Sequence, residues 1–173
     1  METSRKHAWT AALSGGRPGK GSTTWTQNPQ LAILPSNDDA FTITLQKDDA
    51  MPTSTPIAIL VLRGRTAAPL AFGADYKVLR VANTNPQKDI TSQTLTANLD
   101  KLADGEAYVV LPFTYERGQE GGFTLTVKSE AHAFTLAPLN GVRSKGGKGA
   151  AGPTLATVYA RGAVPPDASG ADP

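Results

Sequence analysis

Two pairs of adjacent carboxylates, Asp38-Asp39 and Asp48-Asp49, are the residues of this 173-residue chain best suited to hold an ion. Carboxylate oxygens are hard donors, and calcium gathers six to eight oxygen ligands, commonly several from carboxylates. Neither pair reaches that number alone, even with Asn37 beside the first. Glu116 and Glu120 would add to the set if the folded chain brought all these acids to one end. Calcium is then the cofactor that Asp38, Asp39, Asp48 and Asp49 would suit. The plainer alternative is two polar loops that cap strands and stay wet.

Other chemistry finds less support. The chain contains no Cys, so disulfides, thiolate metal sites and a cysteine nucleophile are excluded within it. His7 and His132 are its two histidines, and no nucleophile elbow accompanies them. His132 reads as a surface or edge residue and His7 as part of a terminal flank. Gly147-Lys148-Gly149-Ala150-Ala151-Gly152 fits the dinucleotide fingerprint only on paper, because no strand leads into it and no helix follows. The stretch Gly15–Ser22 has the wrong spacing for a phosphate-binding loop and reads as a linker. No catalytic residue and no bound organic cofactor is expected.

The elements that must position these residues are strands. With 17 Gly and 13 Pro, long uninterrupted helices are disfavoured, since both residues break helix interiors. Phe41, Ile43 and Leu45 alternate with Thr42, Thr44 and Gln46, the period of a strand with one wet face. Phe123, Leu125 and Val127 alternate with Thr124, Thr126 and Lys128 in the same way. Residues 57–62 are apolar at every position and predict a central strand covered on both faces. Leu31–Leu34, Tyr76–Val81, Thr91–Ala97, Tyr108–Leu111 and the Phe134/Leu136 region supply the rest. Turn chemistry separates them at Pro35–Asp39, Asp48–Pro52, Asn83–Pro86, Ala103–Gly105 and Gly118–Gly122. Short strands at this spacing predict an all-β fold, an antiparallel sandwich of about eight strands.

The domain organisation follows. Residues 1–24 read as a flexible basic flank, 25–139 as the sandwich and 140–173 as a Gly/Pro-rich linker and tail, with an extra strand proposed at 154–161. The sandwich region carries nine Lys/Arg against twelve Asp/Glu, while the flanks carry eight against three. Basic ends of this kind suit solvation, and a nucleic-acid partner is not expected. The longest apolar run is Ile57–Leu62, far short of a membrane span. No apolar stretch follows Met1–Lys6, so no secretory signal is read, and Glu2 excludes N-myristoylation. An intracellular location, cytoplasmic or cytoskeleton-associated, is the expectation.

Three ordered stretches resemble the C2-like domain (domain III) of calpains. The first is Trp9, then Gly15-Gly16, then Trp25-Thr26-Gln27-Asn28-Pro29-Gln30-Leu31, similar to the segment linking the family's protease core to its sandwich. Ser14 stands where the family usually has Ala. The second is Phe41–Lys47 followed by Ile57–Leu62. The third runs from Gly105 to Glu130 and resembles the family's closing hairpin, with Tyr108, Pro112, Thr114, Gly121, Phe123, Leu125 and Ser129 at matching positions. Structural roles are expected for these residues. Pro112 should end a strand, Gly118 and Gly121-Gly122 should permit positive φ, and Tyr108 and Phe123 should fill the core.

The resemblance implies a regulatory, non-catalytic module that packs against a papain-like core and helps transmit a calcium signal. It places the family's acidic loop at Asn37–Asp39. It also places a basic loop after Gln46-Lys47, where this chain has Asp48-Asp49-Ala50-Met51. That reversal of charge counts against binding anionic lipid through this loop. A protein partner or a calpain-like protease core is therefore the expected ligand. A calcium-dependent lipid-binding module and a purely structural cytoskeletal sandwich are the alternatives.

Overall fold

The computed structural model describes residues 1–19, 21–64, 69–71, 73, 76–82 and 89–139. The expected tail at 140–173, with its strand at 154–161, and the turn at 83–86 lie outside the described residues.

Among the described residues nine strands follow one another: β1 (Glu2–Trp9), β2 (Leu31–Pro35), β3 (Asp39–Lys47), β4 (Ile57–Gly64), β5 (Tyr76–Ala82), β6 (Ser92–Leu99), β7 (Ala107–Thr114), β8 (Gly121–Ser129) and β9 (Phe134–Pro138). A single 3-10 turn, Trp25–Gln27, precedes β2, and the described residues contain no α-helix. The strands form two antiparallel sheets, a four-stranded one ordered β1-β8-β3-β6 and a five-stranded one ordered β5-β4-β7-β2-β9. The fold is the antiparallel all-β sandwich expected from the alternation.

The core between the sheets takes Phe41, Ile43 and Leu45 from β3, Phe123, Leu125 and Val127 from β8, and Ile57, Ile59 and Val61 from β4. Their Thr neighbours face outward. On the outer face of the four-stranded sheet, Ser4, Thr126, Thr44 and Thr94 stand side by side in register. Hydroxyl contacts of 2.9 Å (Ser4–Thr126) and 3.0 Å (Thr44–Thr94) tie this row together.

The inner strands β4 and β7 of the five-stranded sheet are buried on both faces. Ala58, Leu60 and Leu62 of β4 join Val109, Leu111 and Phe113 of β7 in a second apolar cluster on its outer face, beneath Trp25, Leu70 and Leu139. This double cover explains why residues 57–62 carry no polar side chain: a strand wet on neither face has no use for alternation.

Three expectations need correcting. Residues 1–24 are not a loose flank, because Glu2–Trp9 pair along their whole length with β8. Most β1 side chains are exposed or half-buried, and Trp9 alone is fully buried, at 1% exposure. Backbone hydrogen bonds and one indole hold this strand, so apolar periodicity could not reveal it.

Pro112 does not end β7 but lies inside it, opposite Ile59 of β4. The pairing of β2 with β7 covers only Leu31–Ile33 against Val110–Tyr108. At Pro112 the strand therefore has a neighbour on one side only, and its missing N–H deprives no ladder partner.

Of the Gly121-Gly122 pair, Gly121 has the expected positive φ, at 158°, whereas Gly122 does not, and both glycines serve close approach. A Cβ on Gly121 would sit 2.3 Å from Met51 Cγ, and one on Gly122 would sit 2.0 Å from Asp48 Oδ2. The left-handed residue of this connection is Gly118, at φ 82°.

Candidate functional site

The two aspartate pairs lie at opposite ends of β3, which starts at Asp39 and ends at Lys47. Nine strand residues span about 27 Å at a rise of ~3.4 Å per residue. The hairpin carrying Glu116 and Glu120 leads into Gly121, and β8 pairs Phe123 with Lys47, which puts those acids at the Asp48 end. No cation could be shared by all four aspartates.

The oxygens at the Asp39 end also have other partners. Asp38 Oδ1 accepts the backbone N–H of Lys101 at 2.7 Å. Asp39 Oδ2 accepts those of Ala131 and His132 at 2.9 and 2.7 Å, and Asp39 Oδ1 accepts that of Ala40 at 2.8 Å. The His132 imidazole stands 3.6 Å from Asp39 Oδ2. These donors, the His132 N–H first, hold the Asp39 carboxyl below its usual range. The corner locks the β8–β9 turn onto the start of β3. Among the described residues, no three His, Cys, Asp or Glu side chains gather as a metal site would require.

At the other end of β3 a cation is already built in. Lys47 is 3% exposed, and its Nζ donates to the carbonyl oxygens of Pro52, Thr53 and Thr55 at 2.9, 3.0 and 2.9 Å. Three carbonyls converge on this ammonium, and burial pushes the Lys47 pKa down. The loop it organises lays Met51, 5% exposed, over Gly121. In sequence Lys47 looks like an ordinary strand-end lysine; only the fold shows its role.

The residues of the Trp-x-x-Asn-Pro-Gln stretch form a buried clasp. Asn28 Oδ1 accepts the Gly15 N–H at 3.1 Å, while its Nδ2 donates to the carbonyls of Gly16 (2.7 Å) and Trp25 (2.8 Å). Gln30 Nε2 donates to Thr26 O and Leu70 O, and Gln30 Oε1 accepts the Leu70 N–H at 2.7 Å. Pro29 is buried between them. Gly15 fits because any Cβ there would stand 1.9 Å from Thr24 O. Together these side chains stitch residues 14–17 and Leu70 over the outer face of the five-stranded sheet.

The hairpin motif residues are likewise structural. Tyr108 is buried and its hydroxyl accepts the Asp100 N–H at 3.0 Å. Thr114 donates to Glu116 O at 3.0 Å, and Ser129 Oγ donates to His132 O at 2.5 Å. Phe123 and Leu125 are fully buried in the core. Phe123 lies 4.4 Å from the Trp9 ring centroid and 5.7 Å from that of His7.

His7 was expected in a loose flank but sits on β1, where its Nδ1 accepts the Ala8 N–H at 2.8 Å. The other ring nitrogen, Nε2, is a buried atom with no hydrogen-bond partner among the described residues. Burial holds the His7 pKa below its usual value. Without cysteine, this chain is not itself a cysteine peptidase. No helix among the described residues is long and apolar enough to cross a membrane.

No protein family profile matches the chain. It is 25% identical over 138 residues to serine/threonine-protein kinase 4 homolog B of Dictyostelium discoideum, a match covering 79% of this chain and 12% of that protein. It is 28% identical over 131 residues to calpain-like cysteine protease A of the same organism, covering 76% of this chain and 18% of the relative. The chain thus spans less than a fifth of either protein's length. Each match takes in over three quarters of the chain, so the two overlap across more than half of it. The second match agrees with the calpain resemblance carried by the motifs.

Proposed function

We propose that this chain is a non-catalytic interaction module of a calpain-like protein, acting through contacts with a catalytic domain or another protein. One observation carries the reading: overlapping parts of a single sandwich are similar to segments of two proteins named for different chemistries, peptide hydrolysis and phosphoryl transfer. A segment common to both is best understood as an accessory to either chemistry. The side chains agree with this. The polar residues with chemical capacity, Asp39, Lys47, Asn28 and Gln30, spend their donors and acceptors on backbone groups of the fold.

Function of this kind resides in a surface supported by a rigid scaffold. The calcium-dependent lipid-binding alternative loses its main support with the separation of the aspartates along β3 and the acidic character of the 48–51 loop.

The test adds the chain in trans to a separately expressed papain-like core of a calpain-like protease and follows peptide hydrolysis. The chain alone should hydrolyse nothing, and its addition should change the turnover or the thermal stability of the core. Hydrolysis by the chain alone would overturn the reading, as would a core unaffected in both properties. Co-sedimentation with phosphatidylserine vesicles, with and without calcium, should leave the chain in the supernatant.

A further inference from the structure

We infer that the outer edge of β5 is a docking strand for an extended partner peptide that alternates apolar with acidic side chains. The inference rests on the module reading for its purpose and supplies what that reading lacks, a surface and the chemistry of its partner.

β5 closes one side of the five-stranded sheet, and among the described residues no strand pairs with its far edge. Such an edge offers a row of N–H and C=O groups to any strand that can lie beside it. The sandwich has three other edges, β1, β6 and β9. The exposed positions of β6 are Ser and Thr with one Asn, β1 is mostly polar, and β9 is five residues long and ends on Pro138. β5 differs in kind. Among the described residues the exposed large apolar side chains are Met1, Tyr76 (36%) and Val78 (50%), and two of these stand on this strand.

Tyr76 and Val78 lie two residues apart and so share a face. They stand opposite Gly64 and Leu62 of β4, and Leu62 belongs with Trp25 to the apolar cluster on the outer face of the sheet. The Tyr76 ring meets Trp25 edge-on at a centroid distance of 5.3 Å. The cluster thus extends to the rim of the sheet and ends there on two uncovered side chains. A strand added beside β5 would continue the cluster with its own apolar positions.

Charge fixes the other half of the partner. Lys77 and Arg80 are exposed on β5, and the strand contains no acid. Cross-strand pairing favours carboxylates opposite them and disfavours cations. The same charges disfavour a second copy, since two β5 strands would set Lys and Arg against Lys and Arg. The bulge in the β4–β5 register between Val61 and Leu62 adds a twist that discourages indiscriminate edge pairing.

The test uses two labelled eight-residue peptides, one alternating valine with glutamate and one alternating valine with lysine. Fluorescence anisotropy with the whole chain should show the glutamate peptide binding at least tenfold more tightly. Amide hydrogen exchange should slow along β5 when it binds. The double variant Lys77→Glu/Arg80→Glu should invert the preference, and that gain for the lysine peptide also shows that the variant folds. Equal binding of both peptides, no binding, protection mapped to another strand, or self-association through β5 without peptide would each overturn the assignment. A chain that takes the glutamate peptide but ignores a protease core would refute only the calpain-core partner.

Discussion

Trp9 donates its indole N–H to the carbonyl oxygen of Pro112, 3.1 Å away and 103 residues distant in sequence. The bond joins the first strand of one sheet to an interior strand of the other, across a core in which Trp9 also packs against Phe123. It makes β1 part of the sandwich. Trp9→Ala should therefore destabilise the protein by about 3–5 kcal/mol, the usual cost of emptying a large aromatic site. Trp9→Phe should restore much of the packing and lose the hydrogen bond, at ~1–2 kcal/mol. Urea unfolding followed by circular dichroism checks both, and a loss below ~1 kcal/mol for Trp9→Ala would return β1 to the status of a flank.

Asn28→Asp keeps the shape of the clasp but removes two donors, those facing Gly16 O and Trp25 O, and sets a carboxylate beside buried carbonyls. Such a change should cost at least ~2–3 kcal/mol, more than an ordinary surface substitution. Hydrogen exchange should show residues 14–17 opening first.

Lys47→Met keeps much of the side-chain length and leaves the carbonyls of Pro52, Thr53 and Thr55 without their shared donor. A loss of about 2 kcal/mol is expected, together with faster proteolytic nicking between residues 48 and 56. Added calcium should not restore the loop in the variant, because three carbonyls fall short of the six to eight oxygens that calcium gathers.

Acid should act in two separable steps. The His7 pKa is lowered by burial in the folded state, so below about 6.5 the unfolded chain takes up a proton that the folded chain resists, and stability falls as pH drops from there toward the folded pKa. His7→Gln should abolish this step. The Asp39 pKa is lowered by its backbone donors and His132, so its contribution is complete above about pH 4 and disappears as pH falls through the folded pKa. Asp39→Asn should flatten that second step. Thermal melts from pH 7 to 3 on the three proteins read both.

Much of the fold is legible in the sequence because its physics is local. The alternation along Phe41–Gln46 and Phe123–Lys128, and the unbroken apolar run Ile57–Leu62, each state how many faces of the strand are covered. β1 is not legible: Glu2–His7 contribute backbone pairing and little apolar surface. The opposite placement of Asp38-Asp39 and Asp48-Asp49 could have been read, since a single strand between two loops separates them by its own length. The role of Lys47 could not, because nothing local distinguishes a lysine that binds three carbonyls from one in water. The rim of Tyr76 and Val78 depends on strand order, which alternation does not encode.

The central claim is that this sandwich works by binding a protein partner. Isothermal titration of the chain against a separately expressed papain-like core tests it most directly. The account predicts one-to-one association with a dissociation constant on the order of 10 μM, as suits a transient interdomain contact. No detectable heat together with unchanged sedimentation of the mixture, up to the highest soluble concentrations, would contradict it.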